Sequence, residues 1–580
     1  MFFSLQPSHI FNTYFGEHHF LLTTTPYDSF LLKFIEQGEK MKRFKLSCLC
    51  FVSLFFLNVL FPGCSNQEGR ESATAVSSKS TPVYGGNYRI PLKENPVTLD
   101  PAYVRDIVGQ SVVHQVFDGL VRFDNYLSIL PALAETWEVT EKGTVYKFKI
   151  KDNAVFHNKE PVISEDVLFS IKRLLRVEPP SAMLPHLLKI DGANEYRTNI
   201  RETLSGIIIE NKKNFSIHLL EPHAPFLAAL GMYQASIVPE KAVKILGEAF
   251  GKNPLGSGPF QLTSWEDKAS IRLKRFENYH AGPAYLDEIL FRIYPGGQNQ
   301  AVLNDFRAKR LEEMTAHGDE KKNFSELEDL QWFQRPSLSL FFYGINIRHP
   351  RLTDPDLRKT LFNSVDRTEL VNTLTGGQYQ VTKTILPPGM PGYQPHSPTA
   401  DNKEIILAQN LQDTQNPQNL DLEIASGSKT PWDEKEIAII QRFWARLGIT
   451  VRPKYITDWN EFQSYLKSDD VQIYRYGWHA DMPDPDSFLS SLFLSDAAHN
   501  FMNLRDENID TMLSTARRIS DPIKRAGMYR KIETDILAVT PLIPLFHMNV
   551  SRVYQPYVQS INVSALGHHT MKLNQIWLDQ

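Results

Sequence analysis

Hydrophobic and polar positions follow two different periods along this chain, and stretches of each kind are interspersed. Val145, Tyr146, Phe148 and Ile150 surround Lys147 and Lys149, which predicts a half-buried strand over 145–150. The runs 207–209, 216–219 and 270–275 predict further short strands. Elsewhere the spacing is helical. Ser164 is placed as an N-cap, with Glu165 and Asp166 in the first turn and Val167, Leu168, Ile171, Leu174 and Leu175 as the apolar stripe. Asp354-Pro355 and Asp521-Pro522 each join a capping side chain to a proline suited to the first helical position. They precede the stripes Leu357, Leu361, Val365 and Ala526, Tyr529, Ile532, Ile536. Pro431 opens another helix, carrying Ile437, Ile440, Trp444 and Leu447, and Gly448 is placed to end it. All these stripes read as core packing. Strands and helices in mixed order make the chain α/β or α+β.

The chain has 580 residues, 42% of them apolar and 11% aromatic, with a net charge of −4. That is enough apolar material for more than one core, and it excludes a disordered or fibrous protein. There is no basic block, so a nucleic-acid partner is not expected. The three cysteines, Cys48, Cys50 and Cys64, all lie near the N-terminus. The remainder therefore holds no disulfide, thiolate metal site or cysteine nucleophile. No zinc-protease, P-loop or nucleophile-elbow motif is present. Ser464 and Lys467 fit the spacing of a penicillin-binding serine–lysine pair, but without the companion motifs. The pairs His18-His19 and His568-His569 lack further ligands at metal spacing and read as solvated. No cofactor, metal or enzymatic activity is expected.

Met41 to Lys45 is a short basic segment, and the apolar run 46–61 follows it. This is the layout of a secretory signal peptide over 41–63, too short to be a membrane span. Cys64 after Gly63 resembles the lipid-acceptor cysteine of a bacterial lipoprotein, which predicts an acylated Cys64; ordinary cleavage with an incidental cysteine is the alternative. Met41 is the expected start, with 1–40 an upstream extension. Residues 64–81, rich in Ser, Thr, Ala and Gly, are expected to be a tether.

An ordered set of short blocks is more specific. Leu99-Asp100-Pro101, the run 116–121 (VFDGLV), the run 131–137 (PALAETW), Phe156-His157-Asn158, the run 256–260 (GSGPF), Val365-Asp366-Arg367, the run 477–481 (GWHAD) and the run 541–545 (PLIPL) appear in this order. Together they resemble the oligopeptide- and dipeptide-binding proteins of ABC importers, extracellular solute-binding protein family 5. The resemblance implies a two-lobed, periplasmic-binding-protein-like α/β fold with a hinge and an extra subdomain. Domain I would comprise 82–108, 236–337 and 541–580, domain II 109–235, and domain III 338–540. It implies capture of short peptides by lobe closure and delivery to a membrane permease with its ATPase subunits. The protein would act as a monomer, in the periplasm or on the outer face of the cytoplasmic membrane. Relatives of this kind also bind nickel chelates, haem, glutathione or cell-wall peptides, and a lipoprotein acting by protein–protein contact is a further alternative.

By the same resemblance, Asp481 would hold a peptide's ammonium group and Arg475 its carboxylate. A turn role for Asp481 and an internal ion pair for Arg475 are the competing readings. Gly477 and His479 would offer backbone groups to ligand, and Trp478 would wall the site or pack in the core. Ile107 would make a backbone contact from the opposite lobe. Met183 is placed where relatives carry a tyrosine. Asp484 and Asp486 are expected to shape the turn.

Overall fold

A computed structural model of the chain describes residues 81–316, 329–395 and 420–579. The expected signal peptide, Cys64, most of the tether and His18-His19 lie outside the described residues. The chain enters through β1 (Asn87–Leu92) and helix α1 (Ile107–Val116), then forms the hairpin β2 (Val121–Phe123) and β3 (Ile129–Pro131). Next come β4 (Ala134–Thr140), β5 (Val145–Ile150), helix α2 (Ser164–Arg176), β6 (Ile207–Ile209) and β7 (Asn214–His218). These strands make an antiparallel sheet in the order β4-β5-β7-β6, and its core includes Phe148, Ile171, Leu174 and Ile217. β8 (Phe260–Glu266), β9 (Ser270–Arg275) and β10 (Glu288–Ile293) return to β1, giving the order β1-β10-β9-β8 with β1 parallel to β10.

The second half adds β11 (Glu313–Thr315), β12 (Gln331–Pro336), β13 (Ser339–Ile345), helix α3 (Pro355–Asn363) and β14 (Gln380–Val381). It continues with β15 (Leu420–Ser426), helix α4 (Pro431–Ala445), β16 (Ile449–Tyr455) and β17 (Ile473–His479). Helices α5 (Asp486–Phe493), α6 (Glu507–Arg518) and α7 (Pro522–Val539) follow, and the chain ends through β18 (Leu542–His547), β19 (Asn549–Tyr554), β20 (Val558–Gln559) and β21 (Trp577–Leu578). Six strands form one sheet, β14-β18-β13-β17-β15-β16, with separate apolar cores on its two faces. A three-stranded sheet, β11-β19-β12, is separate from it, and its strand β11 packs beside β1.

The chain passes between these two sheets at two places, Ser337-Leu338 and Met548, and the crossings are neighbours. The Ser337 amide donates to the Met548 carbonyl at 2.8 Å, and the Met548 amide donates to the Ser339 hydroxyl at 3.0 Å. The Ser337 and Ser339 hydroxyls lie 2.8 Å apart, and a ring nitrogen of His547 sits 2.6 Å from the Ser339 carbonyl. The expected start of a domain I segment at 541 differs from this arrangement. β18 is hydrogen-bonded between β13 and β14 inside the six-stranded sheet, so the return crossing falls at Met548.

The capping signals act as their chemistry dictates. Asp354 accepts from the Asp356 amide at 2.9 Å, and Asp521 accepts from the Ile523 and Lys524 amides at 2.9 Å. Thr430 and Asp433 form a reciprocal capping box ahead of Pro431. Two boundaries move by a residue or more. Ile163 is the cap of α2, because the Asp166 carboxylate takes its amide at 3.1 Å, while Ser164 turns its hydroxyl to the Asn211 carbonyl. Gly448 adopts φ +74° beyond the end of α4, closing a turn onto Ala445 rather than capping the last helical residue.

The 256–260 block is a packing device. The Gly258 amide donates to the Val116 carbonyl at 2.8 Å, and the His157 amide donates to the Gly256 carbonyl at 2.8 Å. A Cβ on Gly256 would fall onto the Val116 carbonyl, and one on Gly258 would lie 2.5 Å from that of Gln115. Gly256→Ala is therefore expected to destabilise the protein by about 1–3 kcal/mol, read as a lower denaturation midpoint at unchanged m-value.

Glu533 on α7 gives a pH-dependent term. It is buried, and its Oε1 accepts from the Ile385 and Leu386 amides at 2.6 and 2.9 Å. Burial outweighs those two bonds and pushes its carboxyl up from 4.5 to about 7. Below the ordinary value the group is neutral in both states and carries no penalty. As pH rises from the ordinary value toward 7, the unfolded state ionises while the folded state stays neutral, and stability relative to Glu533→Gln falls by up to about 3 kcal/mol, levelling off above 7. Thermal midpoints of the two proteins, compared at pH 5 and pH 8, measure this difference.

Candidate functional site

A cavity of about 460 Å³ opens where α1, the β2–β3 hairpin, the loop after β17 and the stretch 560–576 converge. Helix α1 sets one wall. Asp106 caps it, accepting from the Gly109 amide at 2.7 Å, and Gln110 and His114 line the cavity one turn apart. Ile107 belongs to the same face a further turn back. It is 61% exposed and outside the lining, where Gln110 and His114 stand on this helix. Buried Gln115 fixes the facing segment to this helix, donating to the Met571 carbonyl at 2.6 Å and accepting from the Leu573 amide at 3.0 Å.

That segment delivers Lys572 to a buried charge cluster. Its ammonium lies 2.6 Å from Asp118 Oδ1 and 3.0 Å from the Phe117 carbonyl oxygen, while Asp118 Oδ2 meets His280 Nε2 at 2.9 Å. Burial opposes the charge on Asp118, yet Lys572 and His280 outweigh it and hold the carboxyl well below its ordinary range. His114 and His569 face the same space. Burial, aided by nearby cationic groups, brings each to about 3, so both are neutral near pH 7.

Asp481 has a different environment. It lines the cavity and is open to water there, while protein crowds its other sides and pushes its carboxyl above the ordinary value. It makes no hydrogen bond or ion pair to any described residue. Its negative charge is felt by Tyr233, whose hydroxyl is raised chiefly by burial and donates to the Val104 carbonyl at 2.9 Å. An ionised carboxylate without a partner, set in a concave polar site, is suited to receive a cation from solution.

The other expected site residues follow the alternation of β17. Arg475, Gly477 and His479 share one face, and Tyr474, Tyr476 and Trp478 the other. Arg475 points to α4, where its guanidinium meets Glu436 at 3.0 Å and Asp433 at 3.1 Å. It does not line the cavity, and its contacts match the internal ion pair that was the competing reading. Gly477 faces Phe341 across the β13–β17 pair, and a Cβ there would sit 2.8 Å from that ring. Its lack of a side chain accommodates Phe341. Trp478 donates its indole N–H to the Ser487 carbonyl at 2.7 Å and packs at the edge of a core, which is the packing alternative. His479 is open to water at the strand end and edge-on to Phe341, while the protein crowding its other sides disfavours the charged ring and lowers its pKa.

Asp484 and Asp486 pin the turn after Asp481. Asp484 takes a two-pronged contact from Arg525 at 2.6 and 2.7 Å, and Asp486 meets Arg517 at 2.6 Å. Met482, between them and Asp481, is buried in the core of the β4–β7 sheet. Met183 is fully buried in that same core and leaves the cavity wall to others. His568 is half-buried against Glu313 at 2.7 Å and His569 lines the cavity, so neither is the solvated residue expected. Arg122, His114, His569 and Lys572 were not singled out from sequence; the only hint was the conspicuous pair 568–569.

The site is thus a cleft in an α/β chain with an unpaired acid at its wall, an arrangement suited to holding a small solute. The chain belongs to the bacterial extracellular solute-binding proteins, family 5, whose Middle profile matches residues 128–500. It is 25% identical over 490 residues to the dipeptide-binding protein of Escherichia coli K12, covering 78% of this chain and 88% of that one. It is 24% identical to the oligopeptide-binding protein OppA of Bacillus subtilis 168, covering 87% and 93%. Its fold matches the solved structure of the periplasmic binding protein DppA from Helicobacter pylori in complex with peptide STSA. There the TM-score is 0.69 at 23% identity, over 86% of this chain and 99% of that one. Among the described residues no helix is long and apolar enough to cross a membrane.

Proposed function

We propose that this protein captures short peptides and delivers them to an ABC permease, with Asp481 as the anchor for the peptide ammonium. The observation that carries this reading is the unpaired Asp481 carboxylate in the wall of a cavity of about 460 Å³. Such a volume suits a small ligand. The free carboxylate gives a charge-assisted hydrogen bond to any peptide, whatever its side chains. The family, and the dipeptide- and oligopeptide-binding names of the relatives, support the same ligand class.

Closure proceeds by rotation about Ser337-Leu338 and Met548, bringing the six-stranded sheet and its helices toward α1 and the β2–β3 hairpin. The domain limits expected from sequence stand as part of this reading, with the return crossing moved to Met548. Export is by the signal at 41–63, and acylated Cys64 holds the protein as a monomer on the outer face of the cytoplasmic membrane. The protein acts as a binder without catalytic chemistry. Native mass spectrometry of protein purified from its source tests the ligand assignment. Bound masses that fragment as peptides are the expected result; a non-peptide mass carried at full occupancy would overturn it.

A further inference from the structure

The charged groups that line the cavity differ in what they already hold. Lys572 is engaged by Asp118 and by the Phe117 carbonyl. Asp124 accepts from the Tyr126 and Ser128 amides of its own turn, each at 2.8 Å. His114 and His569 are neutral. That leaves two charges without a hydrogen bond or ion pair to any described residue, the Asp481 carboxylate and the Arg122 guanidinium.

These two are not partners of each other. Burial alone accounts for the perturbed carboxyl of Asp481. The charge of Arg122 is felt instead by Lys572, Lys151 and Tyr279, around the Asp118 cluster. Asp481 acts on Tyr233, on another part of the wall. The cavity wall thus carries one free anion and one free cation that do not pair with each other. Arg122 is also well positioned. It lies on β2, and the next residue, Phe123, packs against both the core of the β4–β7 sheet and a core of the six-stranded sheet. A Cβ on Gly231 would lie 2.8 Å from the Phe123 ring, so the strand is held closely from the other side as well.

We propose that Arg122 receives the α-carboxylate of the bound peptide, so that Arg122 and Asp481 recognise its two ends. The inference rests on the peptide reading above. It assigns to Arg122 the role that sequence gave to Arg475, whose guanidinium is occupied by Glu436 and Asp433. A guanidinium matches a carboxylate with two parallel N–H donors, and one held free in a cleft forms that contact without first breaking another. The ligand is then a zwitterion with both termini free, and blocking either end weakens it.

Calorimetry with alanine peptides of two to five residues, their C-terminal amides and their N-acetylated forms tests this. Wild type is compared with Arg122→Gln and Arg122→Lys, and thermal midpoints confirm that each variant folds. For wild type, amidation of the tightest-binding peptide is expected to weaken binding by about 30-fold or more. Arg122→Gln should bind the free acid as weakly as wild type binds the amide, and should no longer distinguish the two. Arg122→Lys should restore part of the preference, while the penalty for N-acetylation stays in all three proteins. An amidation penalty equal in wild type and Arg122→Gln would show that the carboxylate goes elsewhere and would overturn the assignment. If folded wild type binds none of the peptides, the peptide reading itself fails, and this inference with it.

Discussion

Asp481→Asn is expected to lose about 100-fold or more in peptide affinity while the protein remains folded. Removing one partner of a desolvated charge pair costs about 2–5 kcal/mol, and the ammonium has no other free anion in the described cavity wall. The substitution keeps side-chain volume and removes only the charge. Stability should move in the opposite direction. The folded-state carboxyl of Asp481 is raised by burial, so its ionisation disfavours folding once pH rises above the ordinary carboxylate range. The ligand-free variant should therefore melt no lower than wild type at neutral pH, and the two should converge at acid pH. Calorimetry and thermal melts on the same preparation read both effects. Wild-type affinity in the variant would remove Asp481 from the site. Equal loss of affinity and stability would make it a structural residue.

Arg475→Met is expected to show the reverse pattern. Glu436 and Asp433 are 1% and 4% exposed and both meet this guanidinium, although Asp433 also accepts from the Thr430 amide and hydroxyl. Truncating one member of a buried ionic set costs about 3–5 kcal/mol, because the remaining charges stay buried without compensation. Tyr343 donates to Glu436 at 3.0 Å and the Trp432 indole donates to it at 3.2 Å, which softens the loss without replacing a cation. The denaturation midpoint should fall, and peptide affinity measured where the variant is still folded should stay within a few-fold of wild type. Intact stability with collapsed affinity would return Arg475 to the site.

The opposite outcomes expected for these neighbours show what was legible in the chain. Periodicity placed the strand 145–150 to the residue. Cap chemistry placed the starts of the helices at Pro355, Pro431 and Pro522, because a capping side chain, a proline and the first amides interact within a few residues. The block that ends in Asp481 directed attention to a loop that lines the cavity. Sequence could not tell that β17 itself stops short of the cavity, whose wall takes only Ala480 and Asp481 from this block. A central strand is covered on both sides, and alternation says only that Arg475 and Trp478 point oppositely. Nor could it find Arg122 or Lys572. Lys572 is defined by Asp118, and Arg122 by having no partner, and both facts require distant parts of the chain to be brought together. The position of β18 was missed for a related reason, since its six residues are all buried and carry no alternation to show which sheet takes them.

Adjacent His568 and His569 tie the cavity wall to the three-stranded sheet. His569 looks into the cavity, and His568 holds Glu313 of β11, which also takes Arg552 of β19 at 2.8 Å. β19 is itself one of the strands that leave the crossing at Met548. The cavity wall at His569 is thereby tied through a single peptide unit to the buried ionic cluster of the three-stranded sheet. Losing the His568 contact leaves Glu313 with Arg552 as its remaining ion-pair partner among the described residues, so His568→Ala is expected to lower the thermal midpoint of the ligand-free protein.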